Sequence, residues 1–369
     1  MKIDSAEIRH LRMPLIAPFE TSFGRSIERD CILLAIHSEG LTGYGECVAD
    51  RDPGYCYETA GTAWHIIKDF ILPAILDNEI ADVEQYQALV AHVKGHNLAK
   101  AGVEMAIWDL LGKRDGRSLA GMLGGVHPRV QVGVSIGLQA TPAALVEAVS
   151  TYLDSGYRRI KIKIKPGRDV EEALAVRRQF PDIMLQVDAN SAYTLDTVHQ
   201  ITPLDALKLL LIEQPLPEDD LWDHAKVQAR FRTPICLDES IISPRHARQA
   251  LEMDACRVIN IKAGRVGGLR NAVAIHDLCL ERGIPVWCGG MLETGIGRAS
   301  NLALASLPGF ILPGDISASE RYYQQDITNE SFTLNTDSTI SVPTGPGLGV
   351  TINPKGLDPF TLAKVSVRQ

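Results

Sequence analysis

From Val130 onward the chain alternates short apolar runs with longer amphipathic stretches, and this rhythm carries the main fold signal. The apolar runs are Val130 to Ile136, Ile160 to Ile164, Ile183 to Val187, Leu209 to Ile212, Ile235 to Leu237, Val258 to Ile261 and Pro285 to Cys288. They recur at roughly the 22–29-residue interval that one strand–helix unit of a parallel barrel needs. Helical spacing fills the gaps, as in Ala143 to Leu153, Glu171 to Phe180, His246 to Met253 and Leu269 to Glu281. An eighth strand is predicted at Phe310 to Leu312, ending in Pro313-Gly314-Asp315. A doubly wound open sheet is the rival, but no Gly-x-Gly-x-x-Gly marks a first strand–helix junction.

Before this repeat the pattern differs. Ile8 to Leu15, Cys31 to Ile36 and Tyr44 to Cys47 read as antiparallel strands, the last two joined by a Ser38-Glu39-Gly40 turn. Ala17 to Arg25 and Ala49 to Tyr57 read as irregular loops with aromatic tips, equally suited to covering a ligand or to packing on a neighbouring domain. Helices are expected over Thr59 to Phe70, Asp82 to Val93 and Ala99 to Lys113, the last closed by Asp115-Gly116. The predicted fold is therefore α/β: an α+β capping domain over 1–125, a (β/α)7β TIM-like barrel over 126–326, and a segment over 327–369 that returns to the capping domain.

Composition narrows the function classes. The net charge of −8 with no basic stripe argues against a nucleic-acid partner. No apolar run resembles a signal peptide or is long enough to span a bilayer, so a cytoplasmic protein without membrane contact is expected. Its seven cysteines are scattered, with no Cys-x-x-Cys pair, and indicate neither a disulfide framework nor a zinc ribbon.

The chemistry starts from Arg158-Arg159-Ile160-Lys161-Ile162-Lys163-Ile164-Lys165, a strict period-two alternation. Alone it reads as a surface strand with its lysines in water. As the second strand of a barrel it points Ile160, Ile162 and Ile164 at the helices and projects Lys161 and Lys163 inward near the C-terminal mouth, with Lys165 already in the loop. The next three strands end in Asp188, Glu213 and Asp238, one carboxylate each on the same rim. Three hard oxygen donors with no His or Cys among them suit Mg²⁺, with Mn²⁺ as a substitute. Strand six ends in Lys262, so Lys163 and Lys262 approach a bound ligand from opposite sides of the barrel. Desolvation, the Lys161 ammonium and a divalent cation are expected to lower their pKa values, as two bases facing one carbon require. This is the arrangement for abstracting a proton α to a carboxylate and returning it on either face, through an enediolate.

These residues resemble the enolase superfamily in its muconate lactonizing enzyme subgroup. The resemblance spans nearly the whole chain, including Ala106-Ile107-Trp108-Asp109-Leu110-Leu111-Gly112-Lys113, the Lys-x-Lys of strand two, the Asp/Glu/Asp set and the strand-six lysine. Leu211-Ile212-Glu213-Gln214-Pro215-Leu216, Asn260-Ile261-Lys262-Ala263-Gly264-Arg265-Val266-Gly267-Gly268 and Gly289-Gly290-Met291-Leu292-Glu293-Thr294-Gly295 look like the o-succinylbenzoate synthase/N-succinylamino acid racemase group. The resemblance implies that Asp188, Glu213 and Asp238 bind Mg²⁺, that Lys163 and Lys262 are the acid/base pair, and that Lys161 contacts the substrate carboxylate. It implies a syn dehydration in menaquinone biosynthesis, an N-acylamino acid racemisation, or both; Arg265 matches a position typical of racemase-competent members and is expected in the wall of the substrate pocket. Phe19, Phe23 and Tyr55 would form a lid, with Ser135, Met291, Leu292 and Glu293 at the far end of the pocket. A small-molecule carboxylate substrate and a homo-oligomer are expected.

Dipeptide epimerases and cycloisomerases share the proton abstraction, but the former usually carry Asp-x-Asp after strand eight, where this chain has Asp315-Ile316-Ser317. Trp287-Cys288 stand where the mandelate racemase pattern needs a histidine. Metal-dependent hydrolase barrels favour His-rich ligand sets, and the histidines here avoid the strand ends. A non-catalytic binding barrel would tolerate loss of a ligand or lysine, and none is missing.

Overall fold

A computed structural model describes residues 1–368. Near the N-terminus, β1 (Ser5–Glu20), β2 (Arg25–Ser38) and β3 (Leu41–Cys47) form an antiparallel meander. The predicted Ala17–Arg25 loop is mostly strand: Phe19 pairs with Ser26 and Glu20 with Arg25, leaving only a tight turn with the Thr21 N–H bonded to the Gly24 carbonyl. The ladder slips between Pro14 and Phe19, where Pro18 cannot donate, and resumes beyond it. Helices α1 (Ala60–Ile66), α2 (Leu72–Leu76), α3 (Val83–Val90), α4 (Asn97–Asp115) and α5 (Leu119–Leu123) follow, a π-helical turn joining the first two.

Helix α4 lies directly on β3 because Gly43 and Gly45 carry no side chain; a Cβ at either would collide with the backbone of Ala106 or Gly102. It is buried on nearly every face, which explains why its apolar residues are not confined to one stripe.

The expected run Val130 to Ile136 divides in two. β4 (Arg129–Gln131) pairs outside the barrel with β12 (Thr339–Ser341), and only β5 (Val134–Ile136) enters it. The barrel then proceeds through α6 (Pro142–Asp154), β6 (Arg159–Lys163), α7 (Val170–Gln179), β7 (Met184–Asp188), β8 (Ile212–Glu213), α8 (Leu221–Arg230), β9 (Ile235–Leu237), α9 (Pro244–Glu252), β10 (Val258–Ile261), α10 (Leu269–Glu281), β11 (Val286–Cys288) and α11 (Gly295–Ala305). Strands β5 to β11 are all parallel and adjacent in chain order. Between β7 and β8 the connection is a 3₁₀ segment, Val198–Ala206, since Pro203 removes a donor that an α-helix would need. The eighth position is not a regular strand. Phe310 bridges Val286, Gly314 bridges Val132, and the Asp315 N–H bonds the Cys288 carbonyl, which closes the barrel. After β12, β13 (Thr361–Arg368) joins the capping sheet beside β1. Among the described residues no helix is long and apolar enough to cross a membrane.

Two buried carboxylates of the capping region face the barrel. Glu46 on β3 accepts from the Thr294 N–H, the Thr294 hydroxyl at 2.6 Å and the Gly297 N–H at 2.9 Å. Burial raises its pKa to about 7, helped by the nearby Glu293 charge and opposed by the Thr294 bonds. Burial likewise raises Glu104, on α4, to about 7. Both acids bind their proton more tightly folded than unfolded, so this contribution to stability is complete below pH ~4.5 and declines as pH rises towards ~7. The unfolding free energy is expected to fall over that window, by roughly 3 kcal/mol for one such shift. Urea titrations of the wild type and Glu46→Gln at pH 5 and pH 8 check this: the substitution should flatten the pH dependence, and an unchanged slope would assign it elsewhere.

Candidate active site

Strand register builds the site. Lys163 pairs with Asp188 across β6 and β7, and Asp188 with Glu213 across β7 and β8, so three adjacent strand ends place these side chains in a row. Asp238 follows one residue after β9, and Lys262 one residue after β10. Lys161, Lys163, Lys262 and all three acids are buried, whereas Ile160, Ile162 and Ile164 pack outward into the hydrophobic layer under the helices.

Every one of these carboxylates meets a cation. Lys163 Nζ donates to Asp188 Oδ2 at 2.6 Å and to Asn190 Oδ1 at 2.7 Å. Lys161 Nζ lies 2.9 Å from Glu213 Oε2, 3.2 Å from Asp188 Oδ2 and 2.5 Å from Asp315 Oδ2. Across the barrel, Lys262 Nζ donates to Asp238 Oδ2 at 2.7 Å and to the Tyr55 hydroxyl at 3.1 Å. Arg265 bonds the other Asp238 oxygen, which also accepts from Tyr55 at 2.9 Å. Trp287 plugs the barrel beneath this layer, with Lys161 Nζ 4.8 Å and the Arg159 guanidinium 5.6 Å from its ring centroid.

The charges respond accordingly. Burial opposes the charged form of Asp188, but Lys163 and Lys161 outweigh it and hold the carboxyl well below its usual range. Glu213 moves the other way, to about 7, because burial and the Asp188 charge exceed the pull of Lys161. Asp315 is lowered to about 2; Lys161 and Arg159 overcome its burial. The expected depression of lysine basicity is not found at Lys262. Burial lowers it, yet Tyr55, Glu239 and Glu213 outweigh burial and hold the ammonium above the ordinary lysine value. Lys161 is raised for the same reason, by Asp315, Glu213 and Asp188 against burial. The acids around Lys262 set this direction, and the divalent cation counted in the expectation would act against them.

Among the described residues no three His, Cys, Asp or Glu side chains close on a common point, since the acid oxygens turn to ammonium and guanidinium groups. The donor set nevertheless fits a hard divalent cation: Asp188, Glu213 and Asp238 offer only oxygen from neighbouring strand ends. Around them Glu239 Oε2 and Asn260 Oδ1 remain buried with no hydrogen-bond partner.

A cavity of about 360 Å³ opens above this rim, with Lys161, Lys163 and Lys262 in its wall. Phe19, Phe23, Tyr55, Ser135, Met291 and Leu292 also line it. The two aromatic segments meet over the rim, where Gly54 sits against the Phe23 ring and Ser22 Oγ donates to the Asn190 carbonyl at 3.1 Å. Two residues expected in the wall are not there. Leu292 adopts φ 57°, which turns the chain so that Glu293 packs on Gly297 in a small space behind the cavity. Arg265 lies behind Lys262, its guanidinium spent on Asp238, the Ile241 carbonyl and the Asn260 carbonyl.

Several polar residues of the site escaped the sequence reading. Asn260 Nδ2 donates to Glu213 Oε1 at 2.7 Å, Asn190 Nδ2 to Glu239 Oε1 at 2.9 Å, and Arg159 contacts Asp315 at 2.7 Å. Period-two spacing was signal enough for two of them, since Arg159 precedes Lys161, and Asn260 precedes Lys262, by two residues on an inward face.

Comparison with known proteins accords with this geometry. Residues 144–356 match the family described as enolase C-terminal domain-like, and residues 4–124 the mandelate racemase/muconate lactonizing enzyme N-terminal domain. An N-succinylamino acid racemase of Amycolatopsis sp is 50% identical over 366 residues, covering 99% of each chain. The o-succinylbenzoate synthase of Geobacillus stearothermophilus is 48% identical, covering 99% of this chain and 98% of its own. Among solved structures, an enolase superfamily member from Listeria innocua superposes with a TM-score of 0.96 at 42% identity, covering 100% of this chain and 99% of its own. The chain belongs to the enolase superfamily, in the branch of the mandelate racemases and muconate lactonizing enzymes.

Proposed function

We propose that the protein abstracts the proton α to a substrate carboxylate with Mg²⁺ bound, acting as an o-succinylbenzoate synthase, an N-succinylamino acid racemase, or both. The observation that carries this is the pair Lys163 and Lys262, which enter one cavity from opposite sides with three acids on the strands between them. Nearly full-length relatives near 50% identity bear both names.

Asp188, Glu213 and Asp238 would hold Mg²⁺, with Mn²⁺ able to replace it. When bound, the ion supplies positive charge beside the substrate carboxylate. Lys161 orients that carboxylate from below. In racemisation one lysine takes the α-proton and the other returns a proton to the opposite face of the enediolate. In dehydration Lys163 acts as base and then as acid to the departing hydroxyl, while Lys262 stays cationic and stabilises the enediolate charge. Phe19, Phe23 and Tyr55 close over the substrate and exclude water, and Ser135, Met291 and Leu292 contact its acyl arm. Arg265, bonded to the carboxylate that also holds Lys262, favours racemase competence by fixing that lysine's partner.

The test incubates the protein with Mg²⁺ in D₂O, first with each enantiomer of an N-succinylamino acid and then with the cyclohexadiene precursor of o-succinylbenzoate. Incorporation of α-deuterium, formation of the aromatic product, or both, is expected. Neither signal would remove the substrate assignment and leave the superfamily membership standing.

A further inference from the structure

Helix α10 begins without a cap of its own. Its first residue follows Gly268, at φ 130°, and no side chain of its own segment bonds its free N–H groups. The cap comes from the other domain: Glu104 of α4 accepts from the Arg270 N–H at 2.8 Å. Trp108 Nε1 at 3.2 Å and Gln87 Nε2 at 3.1 Å hold the same carboxylate in place. The approach is so close that a Cβ at Gly268 would collide with it.

The segment this cap anchors is the turn from Lys262 to Gly268. Its backbone folds tightly, with the Val266 N–H on the Lys262 carbonyl and the Gly268 N–H on the Ala263 carbonyl. A second residue of α4 grips its middle, since Asn97 Nδ2 donates to the Arg265 carbonyl at 2.8 Å and to the Ile242 carbonyl at 2.9 Å. One capping-domain helix thus fixes both the far end and the centre of the turn that carries Lys262 and Arg265. Lys163 sits on β6, whose neighbours are β5 and β7, and receives no bond from α4.

We infer that Glu104, with Asn97, is a positioning residue for Lys262, setting that lysine's approach to the α-carbon across the domain boundary while leaving Lys163 untouched. This rests on the two-lysine reading proposed above. In Glu104→Gln one acceptor oxygen becomes an NH2 donor, which must face either the Gln87 amide N–H or the Arg270 and Trp108 N–H groups, so the end of the turn is held less firmly. Displacement of a reacting group by a fraction of an ångström lowers its rate steeply, whereas a general loss of stability lowers both lysines' rates together.

The experiment measures α-deuterium exchange of each enantiomer of an N-succinylamino acid with Mg²⁺ in D₂O, for the wild type, Lys262→Ala, Glu104→Gln and Asn97→Ala. Lys262→Ala identifies which enantiomer depends on Lys262. Glu104→Gln should slow exchange of that enantiomer at least about tenfold more than exchange of the other. Asn97→Ala should skew the ratio in the same direction, and it carries the test alone should Glu104→Gln not yield folded protein. Equal slowing of both enantiomers in the variants, with the wild type exchanging both, overturns the positioning role. A wild type that exchanges neither overturns the two-lysine reading first, and the positioning role with it.

Discussion

Replacing Lys163 with alanine is expected to abolish racemisation and dehydration together, whereas Lys262→Ala should abolish racemisation but leave part of the dehydration. The asymmetry follows from what each lysine does. In the proposed scheme Lys163 moves a proton in both reactions, and loss of a positioned acid or base costs roughly 10²–10⁴ in rate. Lys262 would move one only in racemisation; in dehydration it would contribute charge, whose loss costs about 10²–10³. Its basicity bears on this. Tyr55, Glu239 and Glu213 hold the Lys262 ammonium above its ordinary value in the free protein, which suits a cation and not yet a base. A divalent cation held by Asp238 would lower that basicity again. Rates for both reactions, measured with each variant, separate the roles. Racemisation by Lys262→Ala at the wild-type rate would sink the two-base scheme.

Which parts of this site could be read from the chain depended on whether a residue's role was fixed by its own strand or by distant partners. The eightfold rhythm and the inward direction of Lys161 and Lys163 follow from local periodicity, and the β6–β7–β8 register turns that periodicity into a row of charges. Asp188, Glu213, Asp238 and Lys262 were legible for the same reason, as polar residues that end apolar runs. The eighth strand was legible only as an apolar stretch, because Phe310 to Asp315 is held by isolated bridges to β11 and the β4–β5 bend. Long-range contacts wrote the rest. Nothing near Tyr55 predicts that its hydroxyl reaches Asp238, 183 residues away, and nothing near Glu104 predicts that it caps α10. Glu293 was misplaced because its neighbour Leu292 takes a left-handed conformation that sequence favours only weakly outside Gly, Asn and Asp. The raised basicity of Lys262 was not legible because Glu239, one residue after Asp238, was not counted among the groups facing that lysine.

Removal of divalent metal is expected to abolish turnover and leave the protein folded, with activity restored by Mg²⁺ and also by Mn²⁺. The second half of that expectation comes from the ion pairs. Without a cation, Lys161 and Lys163 cover Asp188 and Glu213, while Lys262 and Arg265 cover Asp238, so no buried acid of the set is left uncompensated. Such pairing would let the rim keep its shape once the ion is removed. Binding of Mg²⁺ should add stability by mass action, about 2.7 kcal/mol at a hundredfold excess over the dissociation constant. Glu213→Gln tests the assignment without reference to activity. The amide retains an oxygen for Asn260 or Lys161 but loses the charge that a hard cation requires, so the thermal shift with Mg²⁺ should largely disappear. Melting curves for the wild type and this variant, with chelator and with Mg²⁺, give the comparison. An equal Mg²⁺-induced rise in both would move the cation away from Glu213, and no rise in the wild type would remove the three carboxylates as its site.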